Sequence, residues 1–186
     1  MSLLRLTNVA CWRGGRLLFE GLDLAVGPGE AVLVSGPNGT GKSSLLRLAA
    51  GLLRPLAGKV DSEPCALADE RPALDAELPL ARALAFWAPD PARVPDALAA
   101  TGLEALAEVP VRLLSTGQLR RASLARVTLS SAPLWLLDEP ANGLDAASLG
   151  LLEALIRTHI AGGGAILAAS HQPLAGADWR LLELAR

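Results

Sequence analysis

The chain has 186 residues, a hydrophobic fraction of 51% and a formal net charge of −2. That length suits one domain, with at most a small appended lobe, and a near-neutral balance without a dense basic run argues against nucleic acid as the main partner. No apolar run approaches the roughly 18 residues that span a bilayer, residues 1–10 carry Arg5 and Asn8 where a signal peptide would be apolar, and Cys11 and Cys65 are too few for a disulfide framework, so a soluble chain with two reduced thiols is expected.

Residues 3–9 alternate as a strand should, and Arg16–Val26 reads as a second, with Gly21 as a bulge or turn. Gly27-Pro28-Gly29 is a turn. Ala31–Ser35 is a short apolar run of the kind buried on both faces. Helical spacing follows over residues 42–50 (Leu45, Leu46, Leu48, Ala49) and stops at Gly51. Residues 60–111 give a poor signal, rich in Ala, Pro and acids, with helical patches over 78–87 and 96–106. They predict a small helical lobe, at about 72–118, inserted in an α/β core. A helix over 119–130, a strand over 134–137, a helix over 146–159, a strand Ala165–Ala169 and a last strand near 179–184 complete the chain. Alternating strands and helices imply an α/β domain with a mostly parallel sheet covered on both faces.

Four segments carry chemistry. Gly36-Pro37-Asn38-Gly39-Thr40-Gly41-Lys42-Ser43, followed by Ser44, is a complete G-x-x-x-x-G-K-[ST] phosphate loop between a strand and a helix. Glycine is needed there so that backbone N–H groups can turn inward and approach phosphate oxygens. The helix beginning near Lys42 adds its N-terminal dipole, Lys42 reaches the β- and γ-phosphates of ATP, and the Ser43 hydroxyl ligates Mg²⁺. A glycine turn before an ordinary helix is the plainer reading, and it leaves the completeness of the motif unexplained. Leu134-Trp135-Leu136-Leu137 ends in Asp138-Glu139, as when a buried strand delivers carboxylates to the edge of a parallel sheet where ligands bind. Asp138 would hold Mg²⁺ and Glu139 would act as general base on the attacking water. The alternative is an Asp-Glu-Pro turn.

Leu114-Ser115-Thr116-Gly117-Gln118 contains Ser115 and Gln118 at capping-box spacing. Ser115, Gln118 and the N–H of Gly117 either cap a helix only or also offer donors to a γ-phosphate. Lastly, His171 follows a predicted strand.

The set and its order resemble the ATP-binding subunits of ABC transporters over nearly the whole chain. The resemblance implies a P-loop NTPase fold of the ABC-ATPase type, with an N-terminal antiparallel β part beside the parallel sheet. In that family the Ser115 segment meets the phosphate held by the other subunit, so two copies sandwich two nucleotides. His171 stands for the switch histidine that positions the water. Asn142-Gly143-Leu144-Asp145 matches the segment that crosses between subunits, although Asp145 reads equally well as the N-cap of the next helix. Two family parts are absent. The chain contains only Gln118 and Gln172, so no Gln serves the Mg²⁺-sensing loop, and Asp69 or Glu70 lies near that place. There is no Tyr, so adenine would stack on Trp12 or Arg13 instead; Trp12 reads equally as a core residue.

Within the family, Arg13-Gly14-Gly15-Arg16-Leu17-Leu18-Phe19, Val109-Pro110-Val111-Arg112, Gln118-Leu119-Arg120-Arg121, Ala132-Pro133-Leu134-Trp135 and Ser170-His171-Gln172-Pro173-Leu174 are similar to the CcmA-type ATPases of bacterial cytochrome c maturation, which are haem-exporter subunits. This implies an ATPase at the cytoplasmic face of the inner membrane, peripheral to a CcmB-like permease and other maturation proteins. Other readings are an ATPase of a small ABC transporter with a different substrate, an ABC ATPase acting on nucleic acid or ribosomes, and a P-loop binding protein without hydrolysis. Both Glu139 and His171 speak against the last.

Overall fold

Arg13 and Arg16 are separated by Gly14 and Gly15, both at positive φ, which is the backbone that a two-residue hairpin turn of right-handed twist requires. In a computed structural model describing residues 2–184, β1 (Leu4–Arg13) and β2 (Arg16–Val26) accordingly form an antiparallel hairpin. β3 (Ala31–Ser35) runs into the phosphate loop and α1 (Lys42–Ala49) leaves it. β4 (Ala57–Ser62) then pairs with the free side of β1, giving an antiparallel sheet in the order β2-β1-β4.

The second sheet is parallel throughout. Its strands are β5 (Cys65–Ala68), β6 (Leu134–Asp138), β7 (Ala165–Ala169) and β8 (Trp179–Glu183), with β3 between the last two, in the order β5-β6-β7-β3-β8. β6 and β7 are buried along their whole length, which explains their unbroken apolar sequences. One face of this sheet packs on α1 and the antiparallel sheet through Val34, Leu45, Leu46, Leu136 and Leu167. The other is covered by α4 (Thr116–Leu129) and α5 (Ala146–Ala161), with Leu124, Val127, Leu137 and Ile156 between them.

The segment between β5 and α4 holds α2 (Leu80–Ala85), α3 (Val94–Ala100) and several 3₁₀ turns. Leu80, Leu84 and Leu98 pack there against Ala122, Ala125 and Leu129 of α4. α4 is therefore buried on two sides, toward the sheet and toward the small helices. It starts at Thr116, earlier than its hydrophobic spacing suggests, because Ser115 caps it.

Residues 57–68 carried no strand expectation, because the stretch from Val60 on gave a poor signal. They are β4 and β5. β4 lies on the surface and carries Gly58, Lys59 and Asp61, so no buried face imposes alternation on it. β5 is short and Ala-rich, and its strand character comes from pairing with β6.

The functional consequence is positional. β6, β7 and β3 are neighbours, so Asp138-Glu139, Ser170-His171 and the phosphate loop emerge together at the carboxyl edge of the sheet, with Asp69 and Glu70 one strand further on. That edge is where parallel sheets bind ligands.

Candidate active site

The phosphate loop is closed on itself. Gly36 sits at φ 138°, and a Cβ there would lie 2.5 Å from the carbonyl oxygen of Leu184, so only glycine lets β3 enter the loop. The Lys42 ammonium donates to the carbonyls of Gly36 at 2.8 Å and Pro37 at 3.2 Å, and the Thr40 hydroxyl donates to Pro37 at 3.0 Å. The N-cap of α1 is Gly41, which has no side chain to pair the first amides, and no acid sits in its first turn. Unpaired N–H groups and a positive helix end with no competing carboxylate suit an anion.

Asp138 is buried close to Ser43 at the start of α1. Burial pushes its carboxyl above the usual range, and Glu139 adds to this, while Ser43 and Arg47 oppose it. A hydroxyl and a buried carboxylate that gains from a nearby cation are hard oxygen donors of the kind Mg²⁺ takes. The pair fits that ion.

Glu139 has φ 49°, a left-handed conformation rare for a side chain of its size, and its N–H is held by the Ala169 carbonyl at 2.8 Å. This turns its carboxylate toward His171. The His171 N–H donates to Oε2 at 3.3 Å, and Nε2 stands 3.3 Å from Oε1. Ser170 shapes the bend by accepting from the Gln172 N–H at 3.0 Å and donating to the Gln172 carbonyl at 2.9 Å. Strained backbone held by surrounding contacts is found where chemistry needs a fixed side chain.

Lys42, Ser43, Glu139 and His171 line a cleft of about 840 Å³, while the buried Asp138 lies behind its lining, and that volume is within the range of small-molecule sites. Asn38, Gly39, Gly41, Lys42, Ser43 and Ser44 form its floor, and Glu139, Asn142 and His171 one wall. The β1–β2 hairpin supplies the opposite wall through Arg13, Arg16 and Leu18. Arg13 also donates to the Ser44 hydroxyl at 3.3 Å. Trp12 does not line the cleft, nor is it a core residue: it is 54% exposed. Of the two acids near the missing Gln, Glu70 lines the cleft. Asp69 instead accepts from Arg47 at 3.2 Å and from the Arg71 N–H at 3.0 Å.

Ser115, Gly117 and Gln118 stand apart from this cleft. They form the capping box, with the Ser115 N–H donating to Gln118 Oε1 at 2.8 Å and the Gln118 N–H to the Ser115 hydroxyl at 3.3 Å. A Cβ on Gly117 would be 3.2 Å from the Gly143 carbonyl, so the start of α4 abuts the Asn142-Gly143 turn. Asp145 caps α5, accepting from the Ser148 N–H at 2.8 Å, and its carboxyl is lowered first by the Ser148 hydroxyl and then by this backbone donor.

Arg16 and Leu18 were not among the sequence candidates. The one available signal was the spacing of Arg16 from Arg13 across a tight hairpin, which puts both side chains at the same end of the sheet.

The raised Asp138 carboxyl has a testable consequence. A carboxyl whose folded value lies above its unfolded value stabilises the fold only while protonated, so its contribution is lost as pH rises through that window. Asp138→Asn should therefore raise the thermal midpoint of the nucleotide-free protein at neutral pH while abolishing hydrolysis. Midpoints of the two proteins should converge as pH falls toward the ordinary carboxylate range, and a variant less stable than the parent at neutral pH would contradict the reading.

A parallel sheet that delivers a phosphate loop, a buried acid, a second carboxylate and a histidine to one edge defines a P-loop nucleoside-triphosphatase. The sequence matches the ABC transporter family over residues 19–142, and the chain belongs to it as an ATP-hydrolysing cassette. Among curated proteins it is 58% identical to the cytochrome c biogenesis ATP-binding export protein CcmA of Sphingopyxis alaskensis, over 95% of this chain and 93% of that one. It is 56% identical to the protein of the same name from Novosphingobium aromaticivorans, over 91% and 88%. Among solved structures, the ATP-binding subunit of an ABC transporter superposes with a TM-score of 0.85 at 26% identity, covering 91% of this chain and 80% of that one. A dimeric ATP-binding cassette bound to ADP and phosphate shares the fold, with a TM-score of 0.84 at 22% identity, covering 98% and 97%.

Proposed function

We propose that this chain is the ATPase subunit of an ABC complex that powers a haem-related step of c-type cytochrome biogenesis. It would work at the cytoplasmic face of the bacterial inner membrane, with a CcmB-like permease, other maturation proteins and a second copy of itself. The observation that carries the ATPase reading is the Glu139–His171 pair in the same cleft as Lys42 and Ser43. The relatives named for cytochrome c biogenesis supply the pathway.

In this mechanism Lys42 exchanges the Gly36 and Pro37 carbonyls for β- and γ-phosphate oxygens, while the loop amides and the start of α1 hold the rest of the chain of phosphates. Ser43 and Asp138 would hold Mg²⁺, which would supply charge neutralisation on the phosphates. Glu139 accepts the proton of the in-line water, and His171 fixes the orientation of that carboxylate and contacts the γ-phosphate. Ser115 and the Gly117 N–H complete the site of a second copy, which accounts for their distance from this chain's own cleft. Arg13, with Leu18 beside it, takes the base.

Among the described residues no helix is long and apolar enough to cross a membrane. On the small helical lobe Phe86 is 82% and Leu113 61% exposed, apolar side chains open to a membrane partner. Hydrolysis by the isolated subunit should be slow and should rise at least several-fold when the permease is supplied in lipid, because half of each site comes from another copy and the permease brings two copies together. ATPase assays with and without co-reconstituted permease check this. Full activity of the isolated subunit at high dilution would count against the composite site, and stimulation by ribosomes or DNA in place of membrane would favour the nucleic-acid reading.

A further inference from the structure

The segment Arg13-Gly14-Gly15-Arg16 brings a second guanidinium to the cleft that the mechanism above leaves without a role. Arg16 Nη2 donates to the Gly39 carbonyl at 3.0 Å. A Cβ on Gly39 would fall 2.8 Å from that same nitrogen, so the guanidinium occupies the space directly over the phosphate loop. A side chain at Gly39 would expel it. The three cations that line the cleft share one property. Arg16 rests on a carbonyl, Arg13 on the Ser44 hydroxyl and Lys42 on the Gly36 and Pro37 carbonyls. Among the described residues none of them is paired with a carboxylate. The acids of the cleft, Glu70 and Glu139, lie apart from these contacts. The cleft is thus lined by positive charge that no carboxylate compensates.

We propose that Arg16 is a second phosphate-binding side chain, which leaves the Gly39 carbonyl and takes phosphate oxygens when nucleotide enters. This rests on the ATP-binding reading and extends it to a residue outside the phosphate loop. A guanidinium bonds an anionic oxygen more strongly than a neutral carbonyl, and its planar fork can engage two oxygens at once. The exchange is therefore favourable, and the donor is already within reach. It also draws the hairpin onto the loop, which sets Arg13 at the base end of the same nucleotide.

The test is competition against a fluorescent ATP analogue on the purified chain, using ATP and inorganic tripolyphosphate as competitors and the parent, Arg16→Gln and Arg16→Lys proteins. Gln retains an N–H donor for the Gly39 carbonyl but carries no charge. Arg16→Gln should weaken both competitors by a similar factor, about ten-fold for a charged contact partly open to water. Arg16→Lys should recover part of the loss, because a point charge replaces the fork incompletely. Parental affinity in Arg16→Gln would show that the residue only fastens the hairpin and would overturn the proposal. So would a loss confined to ATP with tripolyphosphate unaffected, which would place Arg16 on the base. If the parent itself bound neither competitor, the ATP-binding reading would fall first and this inference with it.

Discussion

Replacing Glu139 with Gln should lower turnover by about 10²–10⁴-fold, the range expected for loss of a general base, while leaving ATP binding near the parental level. The carboxylate is placed to act on a water and not on the nucleotide: its backbone is fixed in a left-handed conformation by Ala169, and its oxygens face the His171 N–H and imidazole. Gln keeps the shape and can still accept from the His171 N–H, but it cannot take a proton. The closed two-copy state should then accumulate, since hydrolysis is what reopens it. Single-turnover kinetics beside size-exclusion chromatography with ATP and Mg²⁺ read both effects. Hydrolysis at the parental rate would remove Glu139 from the mechanism.

The second large effect is on binding. Lys42→Ala removes the ammonium of a residue that is 7% exposed, already aimed at the loop's own carbonyls. A charge-assisted hydrogen bond is worth about 1.5–3 kcal/mol, so ATP affinity should fall by roughly one to two orders of magnitude. Ser115→Arg should behave differently. Ser115 lies outside this chain's cleft, so the variant should bind ATP normally as a single subunit and fail to hydrolyse it. Equilibrium titration with nucleotide separates the two cases, and equal loss of affinity in both variants would place Ser115 inside its own subunit's site.

The phosphate loop, the Asp138-Glu139 strand end and the Ser115–Gln118 capping box were legible in the sequence because each is a contiguous segment whose local backbone determines its chemistry. The buried strands β6 and β7 were equally readable from their unbroken apolar runs. What escaped was determined by distant partners. β4 has no buried face of its own and is defined by pairing with β1. β5 is a strand because β6 lies beside it. Arg16 acquires a role only because the hairpin turn brings it over Gly39, 23 residues further on. Asp69 and Glu70 could not be told apart in the sequence because their surroundings come from distant residues: Asp69 pairs with Arg47, and Glu70 lines the cleft. Trp12 was ambiguous for a similar reason, since a strand pattern does not say which face a hairpin presents to solvent.

The central claim is that two copies build each site, and mixing the two inactive variants tests it most directly. In a pair made of one Lys42→Ala and one Ser115→Arg subunit, one site joins the intact phosphate loop of the latter to the intact Ser115 of the former. The other site carries both defects. At an ATP concentration too low to load the Lys42→Ala loop, each variant alone should be inactive, and an equimolar mixture, with the permease present, should regain a substantial fraction of parental ATPase activity. A mixture as inactive as its components would contradict the account, because it would mean that Lys42 and Ser115 are needed within the same chain.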